Sequence, residues 1–147
     1  MSDYIRSLLS EEQEQNLVEA ITEAELQTSG EIRIHLEKST GKSTAENRAK
    51  HWFGKLQMHK TAEKNGVLFY LAIQDRTLAL WSGEGINEKV PDNFWQEIID
   101  LMIAEFKTGH FSEGLTSGVQ KTGKALGHFF PRNSDDVDEL SNEISKG

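Results

Sequence analysis

The sequence of 147 residues predicts an α/β fold: an α/β/α sandwich, in which a small mixed β-sheet carries helices on both faces. Three observations lead there. The hydrophobic period switches from helical to alternating just after Gly30, an unbroken apolar run fills positions 67–73, and from Asp92 to Pro131 the pattern is helical again.

Taken in order, Ser10 with Gln13 three residues on is a capping box, and Leu17, Ile21 and Ala24 follow at helical spacing. Glu14, Glu19, Glu23 and Glu25 are expected to face water on this helix, which should stop near Ser29-Gly30. Ile32, Ile34 and Leu36 then alternate with Glu31, Arg33, His35 and Glu37, the pattern of a strand buried on one face. After Thr40-Gly41, a second helix is predicted from the stripe Ala45, Ala49, Trp52, Phe53 and Leu56. The run at 67–73 lacks alternation, which predicts a central strand covered on both faces. Asp75-Arg76 makes a turn into a third strand at 78–81. A right-handed crossover should make the first two strands parallel, and the hairpin makes the third antiparallel.

Asp92 is expected to cap a helix bearing Trp95, Ile98, Ile99, Met102 and Phe106, and Ser112 to cap a last one bearing Leu115, Val119, Leu126 and Phe130. The last helix also holds Gly114, Gly118, Gly123 and Gly127. Each glycine costs about 1 kcal/mol relative to alanine in a helix, so four of them predict close approach of a neighbour. Residues 1–131 are predicted to form a single domain, and 132–147 an acidic, flexible tail with a turn of helix near 137–144.

There are no cysteines, which excludes a disulfide framework, a thiolate zinc site and a cysteine nucleophile. The net charge of −8 disfavours nucleic acid and anionic membranes as partners. No segment has the length of a membrane span or the apolar core of a signal peptide, so a cytoplasmic protein is expected. His35, His51, His59, His110 and His128 form no metal-binding spacing, and no phosphate-binding glycine loop or nucleophile elbow is present. Ser82-Gly83-Glu84-Gly85 is glycine-rich, but the next helix is expected only near Asp92.

Topology groups the carboxylates. Glu31, Asn65, Glu84, Glu88 and Asp92 are expected at one end of the sheet, as a candidate metal cluster. Glu37 and Asp75 form a second candidate set at the other end, where Asp75 and Arg76 are weak candidates for catalysis. Calcium takes six to eight oxygen ligands, which loops rich in Glu, Asp and Asn can supply. Solvated or helix-capping carboxylates account for the same pattern, and a turn aspartate accounts for Asp75.

Several segments, read together, resemble the TPM-domain family, whose members include a thylakoid-lumen acid phosphatase and a photosystem II repair factor. They are Thr28-Ser29-Gly30-Glu31-Ile32, residues 49–56 around Trp52-Phe53, Asn65-Gly66-Val67-Leu68, Asp75-Arg76, Gly83 with Gly85-Ile86, Val90-Pro91-Asp92, and Lys107 with Gly109-His110-Phe111 before Gly114-Leu115. The resemblance runs from about residue 10 to Pro131. It implies the sandwich fold, a calcium site and a phosphatase activity. This chain looks like the short soluble branch of that family. Two positions depart from the family pattern: Asn87 stands where many members have glutamate, and Gly83 where soluble relatives often have aspartate.

Three functions are therefore expected from different classes. The first is a calcium-binding module acting through protein partners in assembly, repair or stress response. The alternatives are a metal-assisted phosphomonoester hydrolase and an interaction domain with no ligand.

Overall fold

The computed structural model describes residues 3–61, 64–132 and 142–147. The elements run α1 (Asp3–Arg6), α2 (Glu11–Glu25), β1 (Glu31–Glu37), α3 (Ala45–Lys55), β2 (Gly66–Ala72), β3 (Thr77–Ser82), α4 (Glu84–Asn87), α5 (Phe94–Lys107), α6 (Phe111–Phe129) and β4 (Ser145–Lys146). The four strands form one sheet in the order β3-β2-β1-β4. β1 and β2 are parallel, in register from Glu31 opposite Gly66 to Glu37 opposite Ala72, and β2 and β3 are antiparallel. These are the directions expected from the sequence.

Helices cover both faces, as an α/β/α sandwich requires. On one side, Ile32, Ile34 and Leu36 of β1 and Val67, Phe69 and Leu71 of β2 pack with Leu17 and Ile21 of α2, Ile98 and Met102 of α5, and Leu115, Val119 and Leu126 of α6. On the other side, α3 lies across β2 and β3: Ala45 and Ala49 meet Tyr70, Ala72 and Ala79, while Phe53 joins Met58 and Leu68. Every residue of β2 is buried, which explains its continuous apolar run. The glycines of α6 do admit close neighbours. A Cβ on Gly123 would lie 2.6 Å from that of Ala24, so α2 and α6 touch backbone to backbone there.

Several expectations are corrected. The capping box at Ser10 and Gln13 is present, but α2 ends at Glu25, well before Gly30, and Gly30 does not adopt positive φ. Glu25 does not face water: it is 2% exposed, and its Oε2 accepts the N–H of Ile32 at 2.8 Å, fastening the start of β1 to the end of α2. Glu14 is also largely covered, bridging Arg6 at 3.0 Å and Lys146 at 2.8 Å. β1 is not open on its polar face, because His35 is fully buried there. The cap of α5 is Asn93 rather than Asp92, and that of α6 is His110 rather than Ser112; neither makes a side-chain capping bond. The short helix α4 follows β3 directly, where a loop was expected.

The end of the chain is the largest difference from a free tail. Residues 142–147 return to the sheet, with Ile144 only 7% exposed and β4 parallel to β1 opposite His35 and Leu36. The signal was a single apolar residue among polar ones, too short to read as a strand. The predicted helical turn near 137–144 falls mostly outside the described residues. Among the described residues, no helix is long and apolar enough to cross a membrane.

Candidate functional site

The described structure has a cavity of about 980 Å³ at the carboxyl ends of β1 and β2. In open α/β sheets this is where ligands bind, because the loops leaving parallel strands diverge toward different layers. Here the loop after β1 leads into α3 on one face, while the junction of α5 and α6 closes from the other. Thr40, Ser43, Thr44 and Glu46 line the first wall, Arg76 the turn after β2, and Lys107 the second wall. The N-terminus of α3, capped by the Thr44 hydroxyl accepting from the Asn47 N–H at 3.1 Å, brings the positive end of a helix dipole to the same space. Glu46 supplies an opposing negative charge on that wall.

Asp75 holds the mouth together. Its Oδ2 accepts from the Thr40 N–H at 2.7 Å, the Ser39 hydroxyl at 3.0 Å and the Thr40 hydroxyl at 3.1 Å. The Thr40 N–H, then the Ser39 hydroxyl, holds its pKa below the ordinary aspartate value. Asp75 therefore links the loop after β1 to the loop after β2. Its neighbour Arg76 sits at φ 55°, an unusual conformation for a residue with a side chain, and lines the cavity.

Glu37 lies at the same end of the sheet but is already committed. Arg48 forks onto it, with Nε to Oε2 at 3.1 Å and Nη2 to Oε1 at 2.5 Å. Trp52 Nε1 donates to Oε1 at 3.2 Å, and the Tyr70 hydroxyl donates to Oε2. Burial pushes its pKa up, but the bonds from Arg48, Tyr70 and Trp52 outweigh that and bring it down to about 2. Next to it, the ring of His35 stacks on Trp52 with centroids 3.9 Å apart, and its Nδ1 is 2.9 Å from the Ser145 hydroxyl. Burial lowers the His35 pKa to about 4, with Glu37 partly opposing, so the imidazole is neutral at pH 7.

The metal sets proposed from the sequence fare unequally. Among the described residues, no three His, Cys, Asp or Glu side chains gather to hold an ion. In the first set, Glu31 and Asn65 are buried, and Asn65 donates to the Ser29 hydroxyl at 3.3 Å, whereas Glu84, Glu88 and Asp92 are exposed. In the second set, Glu37 and Asp75 do share an end of the sheet, but the four donors on Glu37 leave it no free lone pair for a metal. Asp75 is the exception. It is exposed and accepts from the Ser39 and Thr40 hydroxyls and the Thr40 N–H, mainly through Oδ2.

The two departures from the family pattern have structural reasons. A Cβ on Gly83 would fall 2.2 Å from the Lys64 carbonyl oxygen, so aspartate is excluded in this conformation. Asn87 accepts from the Ser82 hydroxyl at 2.6 Å and from Trp95 Nε1 at 3.1 Å, and its Nδ2 donates to the Ser82 carbonyl at 3.3 Å. Glutamate could not make the last of these bonds.

Sequence reasoning placed Asp75 and Arg76 correctly at the strand ends but missed the loop opposite them. Ser39-Thr40-Gly41-Lys42-Ser43-Thr44, between a strand and a helix, was the available signal. It lacks the first glycine of a phosphate-binding loop, and its hydroxyls read as ordinary turn residues.

Comparison with known proteins agrees with this architecture. The TPM domain profile matches residues 4–125. The solution structure of BA42 protein from the psychrophilic bacterium Bizionia argentinensis is 45% identical, covers 95% of each chain and superposes with a TM-score of 0.88. The N-terminal domain of a P. gingivalis protein is 26% identical, with a TM-score of 0.69, over 84% of this chain and 79% of its own. The N-terminal domain of the cg2496 protein from Corynebacterium glutamicum, at 11% identity and a TM-score of 0.67, shares the fold over 90% of this chain and 82% of its own. No curated protein matches. With the profile spanning most of its length, this chain belongs to the TPM-domain family.

Proposed function

We propose that this chain is a binding module whose cavity at the carboxyl ends of β1 and β2 takes a small organic anion such as a phosphate ester. The observation that carries this reading is the cavity itself. It combines two cations, Arg76 and Lys107, with hydroxyls from Thr40 and Ser43 and the N-terminus of α3. Oriented N–H groups, hydroxyls and guanidinium are the groups that recognise phosphate oxygens. Binding is favoured over hydrolysis because the Asp75 carboxylate is engaged with Ser39 and Thr40. His110 is no substitute base at this site, since it is not among the residues that line the cavity.

Titration with inorganic phosphate, followed by amide chemical shifts, should perturb residues 39–46 and 76–78 in the wild type. Arg76→Gln should weaken this binding about tenfold, the loss of one charge-assisted contact. Perturbations elsewhere, or none, would refute the reading. Turnover of an aryl phosphate above a blank, abolished by Asp75→Asn, would instead make it a hydrolase.

A second reading has its own observation, the oxygen cluster of Asp75, Ser39 and Thr40. One carboxylate places calcium affinity at the weak, millimolar end of the known range. At ten times its Kd, calcium should raise the unfolding midpoint of chelator-stripped protein by about 3–5 °C. The shift should vanish in Asp75→Asn and survive a Glu84→Gln, Glu88→Gln, Asp92→Asn triple variant. The reverse pattern would return the site to the other end of the sheet.

A further inference from the structure

Beyond its charged rim, the cavity has an apolar interior that an inorganic anion would leave unfilled. Leu8, Ile73, Leu78, Ile103, Phe106 and Phe111 all line it. None of the six is fully buried, although each is a large apolar side chain. Leu8 is 39% exposed, one of only two large hydrophobic residues with that much exposure among the described residues. Folding thus leaves apolar surface from the segment after α1, from both strands of the β2–β3 hairpin end, and from α5 and α6 turned toward one space. Apolar walls with a few convergent polar groups, in a volume of several hundred Å³, are the usual composition of a small-molecule site.

We infer that the ligand of this cavity is a single-chain amphiphilic anion, its head group at Arg76 and Lys107 and its hydrocarbon chain over Ile103, Phe106 and Leu78. The inference rests on the anion-binding reading above and names the class of molecule that reading leaves open. Charge complementarity selects the head, since Arg76 and Lys107 are the cations lining the cavity. The chain is selected by the walls. A neutral lipid would leave the two cations without a partner, and a short polar anion would leave the six apolar side chains wet.

The test is a series of alkyl phosphates of four, six and eight carbons, kept below their micelle concentrations and titrated calorimetrically, with inorganic phosphate as the chainless head-group reference. A methylene fully removed from water strengthens binding by up to a factor of about 4. Affinity should therefore climb several-fold with each two-carbon step, and octyl glucoside should bind at least tenfold more weakly than octyl phosphate. Ile103→Ser and Leu8→Ser should each flatten the chain-length dependence while leaving inorganic phosphate binding unchanged; the exposed Leu8 supplies the comparison if Ile103→Ser folds poorly. Equal affinity across the series would overturn the amphiphile and leave anion binding standing. Failure of phosphate and every alkyl phosphate to bind would overturn both. Equal binding of octyl glucoside would show that the chain alone is recognised, against the assigned head group.

Discussion

Glu37→Ala is expected to lower the unfolding free energy by about 3–5 kcal/mol, and the midpoint by roughly 10–15 °C, at pH 7. The size follows from what the substitution leaves behind. Glu37 is 12% exposed at its side chain, and Arg48, Trp52 and Tyr70 all donate to it. Removing the acceptor strands an indole N–H and a hydroxyl between α3 and the sheet and deprives the part-exposed Arg48 guanidinium of its partner, and donors left unsatisfied cost more than their bonds contributed. Glu37→Gln keeps one acceptor and should lose less. Urea denaturation of the three proteins decides the matter. A loss below 1 kcal/mol for alanine would show that the donors find water and that the network does not fasten α3. Its pH dependence has a definite sign. The folded pKa, near 2, lies below the ordinary 4.5, so the stabilisation is complete above about pH 4.5 and disappears as pH falls through 2.

His35 should dominate a milder acid range. Its pKa is about 4 in the fold and 6.5 when unfolded, so the unfolded chain binds the extra proton between those values. Stability contributed by the neutral imidazole is complete above about pH 6.5 and is lost as pH falls through 4. The loss approaches about 3 kcal/mol, from 1.36 kcal/mol per pKa unit. Glu37 opposes the shift, whereas Arg48, Arg33 and His51 reinforce it. The check is urea denaturation at several pH values from 7 to 4.5. His35→Phe, which preserves an aromatic ring against Trp52, should flatten the profile in that window whatever its effect at pH 7. Parallel profiles for wild type and variant would assign the acid sensitivity to another group.

These two residues also mark what a sequence pattern can and cannot carry. Period and run length were sufficient for β1, α3, β2 and β3, because burial against a neighbouring layer imposes them directly. The glycines of α6 were legible for a similar reason, since only a close neighbour repays four of them in one helix. Glu25, Glu31, His35 and Glu37 were not, because a polar residue in an alternating strand or at a helix end looks the same whether it meets water or a buried partner. The partners of Glu37 come from two other segments, Arg48 and Trp52 on α3 and Tyr70 on β2, and no local pattern joins those segments to β1. Caps failed at Asp92 and Ser112 by one or two residues, because Asn93 and His110 begin their helices without any side-chain bond. The candidate site was half legible: Asp75 and Arg76 stood out at a turn, while the Ser39–Thr44 loop became a wall only once β1 and β2 were parallel.

The strand order has a consequence for self-association. β2, Gly66–Ala72, contains no charge and no proline, the composition of segments that stack into cross-β fibrils. Between β1 and β3, both of its edges are hydrogen-bonded along their length. β3 takes the outer position on that side and exposes more of its surface, while on the other side β4 covers His35 and Leu36 of β1, whose open portion carries the charged Arg33. The charged and partly covered β1 side is a poor template for a second chain, whereas β3 carries neither a charge nor a proline. The most fibril-prone stretch of this protein is thus kept from its own copies by its place in the middle of the sheet, and only opening of the β2–β3 hairpin or of the α3 crossover would present it to them.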